Sequence, residues 1–272
     1  MDEKATKDHE NAGDDVPVTL EPVGPLDYVK SAALWAAGLA WLVPGMGSLA
    51  LLNAAIGPER AEPASRIYTR TQVALSGARS RAVVHPDVDP KGVYLFAQNH
   101  TNHLDHVSFY AATPHFKQGV ELESHFSYPV YGWFMRARGT IPVRPGSKGQ
   151  TPEILARFRA EVEKGHSILA FPEGTRTLDG RVGRFRTGTF FIARDLGIPV
   201  VPVAVTGMYD VMRKGSYLLR PGYDVTVYVE RPIPTAGLRD DEIPALAAEV
   251  QRVVAARVDD YWREKAARGR TR

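Results

Sequence analysis

At 272 residues the chain is long enough for one large domain or a domain with an appendage, and 44% hydrophobic with 24% charged residues excludes wholesale disorder, collagen-like repeats and coiled-coil arrays. There is no cysteine, which excludes disulfides, zinc–thiolate sites and any enzyme-bound thioester. The formal charge of +3 conceals an uneven distribution: residues 1–27 hold eight acidic and two basic residues, leaving 32 Lys and Arg against 23 Asp and Glu in the rest, so the body expects an anionic partner: phosphate ester, nucleic acid or anionic lipid.

Residues 1–25 are acidic, dotted with proline and without apolar periodicity, and read as a flexible tail; nothing there has the basic start and apolar stretch of a signal peptide. Residues 31–58 carry no charge. As one helix, Ser31 to Ile56 would be about 39 Å long, enough to cross a hydrocarbon core of about 30 Å. The centre, Pro44-Gly45-Met46-Gly47, is a helix-breaking combination, so a hairpin of two short helices is expected, dipping into one leaflet or lying at the interface with Trp35 and Trp41 near the headgroups. A buried hairpin of a soluble core and a kinked spanning helix are the alternatives. Arg60, Arg66, Arg70, Arg79 and Arg81 follow as a basic belt suited to anionic headgroups, or as a solvated helix face. The hairpin is assigned to residues 26–62, the main domain to 63–262 and a basic tail to 263–272.

From residue 92 the pattern alternates. Val93–Ala97 is a strand and 105–112 a helix. Thr151-Pro152-Glu153 opens a helix with Ile154, Leu155, Phe158 and Val162 as its apolar stripe and Gly165 beyond its end. Ser167–Phe171 is a strand, 187–196 a helix, Val200–Val205 a buried strand and 224–229 another. Ile243, Leu246, Val250, Val254 and Val258 trace a long amphipathic helix. The order predicts an α/β fold with a largely parallel central sheet flanked by helices and preceded by the apolar helical hairpin, with ligands at the loops beyond the carboxyl ends of the strands.

Two such loops carry chemistry. In the first, Asn99-His100-Thr101-Asn102-His103-Leu104-Asp105-His106, a chain that doubles back lets the Asp105 carboxylate fix one ring nitrogen of His100, leaving the other free to take a proton from a hydroxyl. An N-cap carboxylate beside a loop histidine is the plainer alternative. In the second, Phe171-Pro172-Glu173-Gly174-Thr175-Arg176, Arg176 offers a planar fork for phosphate oxygens and Gly174 and Thr175 offer backbone N–H groups; Glu173 would hold the arginine or accept hydrogen bonds from polyol hydroxyls.

His-x-x-x-x-Asp after one strand and Phe-Pro-Glu-Gly-Thr-Arg after another together resemble the 1-acylglycerol-3-phosphate acyltransferase family of glycerolipid acyltransferases. Gly139-Thr140-Ile141-Pro142-Val143-Arg144 resembles the family's second block with its phosphate-binding arginine, Gly180–Gly188 the segment trailing Glu-Gly-Thr-Arg, and Val201-Pro202-Val203 the fourth block; the similarity covers about residues 60–260. The apolar hairpin also resembles the membrane-docking helix pair of bacterial members. Asn102 stands where many members have serine, Arg186 replaces a frequent lysine, and Glu121-Leu122-Glu123-Ser124-His125 replaces a common Lys-Glu-Leu stretch ahead of Pro129-Val130-Tyr131-Gly132.

The resemblance implies acyl transfer from acyl-CoA or an acyl carrier protein thioester to the free hydroxyl of 1-acylglycerol-3-phosphate. His100 would be the general base, Asp105 its orienting partner, and Arg144, Glu173, Gly174, Thr175 and Arg176 would bind substrate, with amides near Gly174 facing the oxyanion. No metal and no cofactor beyond the thioester co-substrate is implied. The expected partners are a lysophospholipid acceptor, the acyl thioester donor, acyl carrier protein where it is the carrier, and an anionic membrane surface on the cytoplasmic face of the cell membrane. No nucleic acid is expected, since no recognisable module accompanies the basic charge. The rival readings are another lysolipid or glycerol-phosphate acceptor, an inactive lipid-binding protein, and a metal-dependent hydrolase, for which His100, His103, Asp105 and His106 approach a His-x-His-x-Asp-His loop but Thr101 occupies a required histidine position.

Overall fold

The uncharged run near the N terminus forms a single helix, α1 (Pro25–Ile56), in the computed structural model, which describes residues 16–143 and 152–269. The expected break at Pro44–Gly47 does not occur. An internal proline costs roughly 3 kcal/mol through its missing N–H and a ring clash. Packing offsets that: Trp41 and Leu42 before the proline and Met46 and Leu49 after it pack in one cluster with Tyr68, Val130, Tyr131 and Phe134, so the segment is held on both sides. The turn of the hairpin falls instead at Gly57, whose φ of 86° suits glycine, and the second arm is α2 (Pro58–Leu75), which extends beyond the predicted boundary at residue 62.

Gly45 serves this packing rather than a turn. A β-carbon there would lie 2.6 Å from Cε2 of Tyr68, whose ring stacks on Trp41 at 6.0 Å between centroids. Gly45→Val is therefore expected to destabilise the fold by about 1–3 kcal/mol through overpacking, read from chemical denaturation. The tryptophans also depart from expectation: Trp41 faces Tyr68, and Trp35 donates from Nε1 to the Tyr217 carbonyl at 2.6 Å, so both turn toward protein. Beyond its first turns, the large side chains that α1 leaves exposed are aliphatic, Leu39, Val43, Leu51 and Ile56, following Leu26 and Val29 near its start. The helix is long and apolar enough to cross a membrane, and of its most apolar 18 residues 22% are buried, too few for an interior core helix.

The remaining elements, in chain order, are β1 (Arg79–Val84), β2 (Leu95–Gln98), α3 (Asp105–Tyr110), β3 (Lys117–Gln118), β4 (Val120–Leu122), α4 (Tyr131–Arg138), β5 (Ile141–Val143), α5 (Pro152–Glu163), β6 (Ser167–Ala170), α6 (Gly188–Asp195), β7 (Val200–Thr206), α7 (Met208–Val211), β8 (Asp224–Val229) and α8 (Ile243–Gly269). A six-stranded sheet runs β1-β8-β7-β2-β6-β3, and β4 pairs with β5 in a small second sheet. The pairs β7–β2, β2–β6 and β6–β3 are parallel; β8 runs antiparallel to β7 and carries β1 parallel to itself. Arg79 and Arg81, expected in the basic belt, lie on this edge strand, where Arg79 pairs with Asp224 at 2.7 Å and Arg81 bonds Thr226 at 3.0 Å.

Alternation along the buried strands divides the core in two. Phe96, Val201, Val203 and Val205 face α3, α7 and α2; Leu95, Ala97, Val200 and Ala204 face α5, α6 and the Ile243, Leu246, Val250 and Val254 stripe of α8. The last helix continues to Gly269 and so absorbs most of the expected basic tail. Val16, well inside the segment 1–25 expected as a flexible tail, is instead buried with Tyr209 and Trp262.

A bend ahead of α4 is strained. Val130 has φ 63° and ψ −55°, and the Tyr131 N–H donates to the Pro129 carbonyl at 2.6 Å, the geometry of a γ-turn that a β-branched residue rarely adopts. Its side chain packs with Met46, Leu49 and Tyr68, so contact with the hairpin holds the turn.

Candidate active site

Parallel pairing in the register Leu95↔Ile168, Phe96↔Leu169 and Ala97↔Ala170 brings the ends of β2 and β6 side by side, and with them the two loops singled out in the sequence. His100 leaves β2 and Asp105 opens α3, so the chain turns back on itself. His100 Nδ1 lies 3.0 Å from Asp105 Oδ2, which also accepts the N–H groups of Thr101 at 2.5 Å and Asn102 at 2.8 Å. The Asp105 side chain is fully buried, whereas 23% of the His100 side chain is exposed. An acceptor-only carboxylate requires the proton on Nδ1, so Nε2 keeps its lone pair for a substrate proton. Phe171 stacks on the imidazole at 4.1 Å between centroids and fixes its plane.

The loop is anchored from beneath. Asn99 exchanges two hydrogen bonds with the Val205 backbone, at 3.1 and 2.8 Å. Asn102, buried, donates from Nδ2 to the carbonyls of Met208 at 2.9 Å and Met212 at 2.8 Å and accepts the Leu104 N–H at 2.7 Å. A serine has too few donors and too short a side chain for that set, so the departure at residue 102 brings its own anchoring.

Glu173 takes a different place from the one expected. It is 6% exposed, and its two oxygens accept the N–H groups of His100 at 2.8 Å and Gly183 at 2.9 Å, so it fastens the second loop to the first rather than holding Arg176 or a substrate hydroxyl. Burial pushes its carboxyl up to about 7, against the two N–H groups, which favour the charged form; Asp105 adds to the rise. The sign follows: a carboxyl raised on folding contributes stability below the ordinary carboxylate range that is lost as pH rises through about 7. Glu173→Gln is expected to remove that part of the pH dependence between pH 5 and 8, measured by urea unfolding. It also leaves one backbone N–H facing an amide, a cost of about 1–3 kcal/mol.

Gly174 likewise departs from its expected role, since its N–H is taken by the Phe171 carbonyl at 3.0 Å and does not face an oxyanion. Arg176 Nη1 donates to His103 Nε2 at 2.9 Å, and Thr175 Oγ1 accepts from Lys214 Nζ at 3.0 Å. Burial, then Arg176, hold the His103 pKa below its usual value, as a neutral acceptor requires. His106 meets Tyr110 edge-on, and burial lowers its pKa to about 4. Among the described residues no three His, Cys, Asp or Glu side chains converge as a metal ion would require. Arg144 lies outside the described residues.

Two further basic residues stand at the second loop, neither of them among the candidate site residues read from the sequence. Lys214 also donates to the Arg176 carbonyl at 3.0 Å, and the Arg186 guanidinium covers Gly174, its Cζ 2.9 Å from where a β-carbon would stand. Arg186 is visible in the sequence as a substituted lysine; nothing local marks Lys214, which arrives from a loop after α7. With Arg176 they surround the second loop with positive charge, beside a histidine poised to accept a proton.

Residues 78–206 match the family model described as Acyltransferase. This stretch is similar to an acyltransferase domain. Over 172 residues the chain is 34% identical to the chloroplastic 1-acyl-sn-glycerol-3-phosphate acyltransferase BAT2 of Brassica napus, covering 62% of this chain and 49% of that protein. It is 36% identical over 163 residues to the sheep 1-acyl-sn-glycerol-3-phosphate acyltransferase alpha, covering 60% of this chain and 56% of the relative. The chain thus spans about half the length of these curated relatives. In fold it is similar to the 1-acyl-sn-glycerophosphate acyltransferase PlsC of Thermotoga maritima, with a TM-score of 0.74, 18% identity, and coverage of 86% of this chain and 95% of that one. The matched stretch begins just before β1 and ends with β7, so it holds both loops, while α1, α2, α7, β8 and α8 lie outside it.

Proposed function

We propose that the chain transfers a fatty acyl group from a thioester to the free hydroxyl of 1-acylglycerol-3-phosphate, giving phosphatidic acid for phospholipid synthesis. The observation that carries this reading is His100, held at Nδ1 by a buried carboxylate and open at Nε2, beside the basic Glu-Gly-Thr-Arg loop. Nε2 takes the acceptor hydroxyl proton as the oxygen attacks the thioester carbonyl carbon. The tetrahedral intermediate then collapses, the C–S bond breaks, and the imidazolium returns its proton to the departing sulfur, leaving a new ester and a free thiol. Asp105 stabilises the imidazolium between these steps. No acyl-enzyme is formed, in keeping with a chain that lacks cysteine. Arg176, steadied by His103 and Lys214, binds the acceptor phosphate together with Arg144 as read from the sequence.

In the same proposal the exposed aliphatic face of α1 lies in the cytoplasmic leaflet of the cell membrane, where the lysolipid acceptor resides. The test is an acyl-transfer assay across a panel of lysolipids with both coenzyme A and acyl carrier protein thioesters. Arg176→Ala is expected to lower kcat/KM for the phosphate-terminated acceptor by roughly 10- to 100-fold, with little change for an acceptor lacking the phosphate. Equal losses on both acceptors would remove Arg176 from phosphate binding.

A further inference from the structure

The first turns of α1 and the loop at 212–220 enclose a cavity of about 540 Å³, lined among others by Tyr28, Ser31, Asp210, Met212, Arg213 and Arg220. Its walls are tied together: Ser31 Oγ accepts the Leu219 N–H at 2.9 Å, and Trp35 Nε1 donates to the Tyr217 carbonyl at 2.6 Å. Arg220 is only 7% exposed, yet its Nη1, like Nη2 of Arg213, is covered and has no hydrogen-bond partner among the described residues. Each guanidinium rests on a ring, Arg220 over Tyr223 at 5.4 Å and Arg213 over Tyr209 at 5.7 Å. The carboxylate on the wall, Asp210, is engaged elsewhere, accepting from Tyr261 Oη at 2.5 Å and Lys265 Nζ at 2.5 Å.

A desolvated guanidinium without an anion is costly, and a phosphate group offers the acceptors that two such forks lack. The surroundings select the carrier of that phosphate. Leu26, Tyr28 and Val29 are 62%, 63% and 66% exposed on the adjoining turns of α1, and Tyr217 is 83% exposed on the facing loop. A cationic cavity bordered by exposed apolar groups matches a ligand with a phosphate head and acyl tails. The site is separate from the catalytic one but neighbours it, because Lys214, next to Arg213, bonds the backbone of Arg176.

We infer that this cavity binds the phosphate of an anionic phospholipid, holding the N-terminal end of α1 to the membrane surface; this deepens the membrane reading above and gives it a specific headgroup site. The test is calorimetric titration of the full chain with water-soluble short-chain phosphatidylglycerol, with short-chain phosphatidylcholine and inorganic phosphate as separate arms. Arg213→Gln and Arg220→Gln are each expected to weaken phosphatidylglycerol binding by roughly five- to tenfold, with Arg220→Lys recovering part of the loss. Unchanged affinity in Arg213→Gln, a partly exposed position outside the hydrophobic core clusters, overturns the site even where Arg220→Gln does not fold. Inorganic phosphate binding as tightly as the lipid would overturn the lipid assignment, and so would equal binding of phosphatidylcholine. Sedimentation with phosphatidylcholine–phosphatidylglycerol vesicles separates the two ideas: wild type that binds the short-chain lipid but no vesicle keeps the site and removes the membrane reading.

Discussion

His100→Ala is expected to lower kcat for acyl transfer by about 10² to 10⁴, the range a positioned general base contributes, while leaving the fold intact. The separation is possible because of what each part of the residue does. The backbone of His100 is structural, its N–H donating to Glu173 and its carbonyl accepting the Thr177 N–H at 2.8 Å, and alanine keeps both bonds. The imidazole is partly exposed and among the described residues hydrogen-bonds Asp105 alone, so its loss removes the base with little else. Asp105→Asn should behave differently. All three donors meet Oδ2, and Oδ1 is buried without a partner among the described residues, so the substitution leaves a weaker neutral acceptor beside the imidazole and buries an unpaired NH2, costing activity and about 1–3 kcal/mol of stability together. Steady-state acyl transfer paired with urea unfolding distinguishes the two patterns. Retention of more than about a tenth of the wild-type rate by His100→Ala would remove the imidazole from the role of base.

Glu62→Ala is expected to be among the most destabilising single substitutions away from the site, at about 3–5 kcal/mol. Glu62 of α2 pairs with Arg138 at the end of α4 at 3.1 Å, with side-chain exposures of only 8% and 4%. The Arg138 guanidinium lies between Tyr110 and Phe116, at 4.9 and 4.5 Å, and donates from Nη2 to the Lys117 carbonyl at 3.2 Å. Lys117 is itself fully buried, donating to the carbonyls of Thr113 and His115 at 3.2 and 3.0 Å. Burial pushes its pKa down to about 7, and Glu62 is the anion that opposes the fall. Removing Glu62 therefore strands two buried cations. In Glu62→Leu/Arg138→Met the orphaned guanidinium is gone, so a double-mutant cycle in urea should show less loss than the single changes sum to, by about 0.5–3 kcal/mol. Additive losses would mean that the pair is not coupled.

How much could be read from the sequence depended on whether the deciding interaction was local. The buried strands from Val93 and from Val200 are short apolar runs, and the α8 stripe repeats with helical period, so the sheet and its last helix were legible. The doubling back of His100 on Asp105 was legible too, because five residues between a strand end and a helix start leave little other geometry. Pro44-Gly45-Met46-Gly47 was misread for the converse reason: the local cost of breaking a helix is visible, whereas the seat that Gly45 provides for Tyr68 comes from another helix. Arg79 and Arg81 read as a headgroup belt because nothing in an arginine-rich stretch announces an edge strand paired to β8, although charge on an edge also discourages unwanted strand pairing. Glu173 was placed in the right loop with the wrong task, since its partners, His100 and Gly183, meet it only after folding.

The anchoring of the His100 loop bears on how this protein fails. Asn99 reaches Val205 and Asn102 reaches Met208 across 106 residues of chain, and Glu173 reaches the His100 amide across 73. A catalytic loop assembled from such distant stretches has no local unit that melts alone, so opening it means parting β2 from β6 and β7. Catalytic competence should then report on the cooperative unfolding of the whole sheet. Under mild urea, inactivation and loss of far-UV ellipticity are expected to share one midpoint, and the turnover of those molecules still folded should be undiminished up to it.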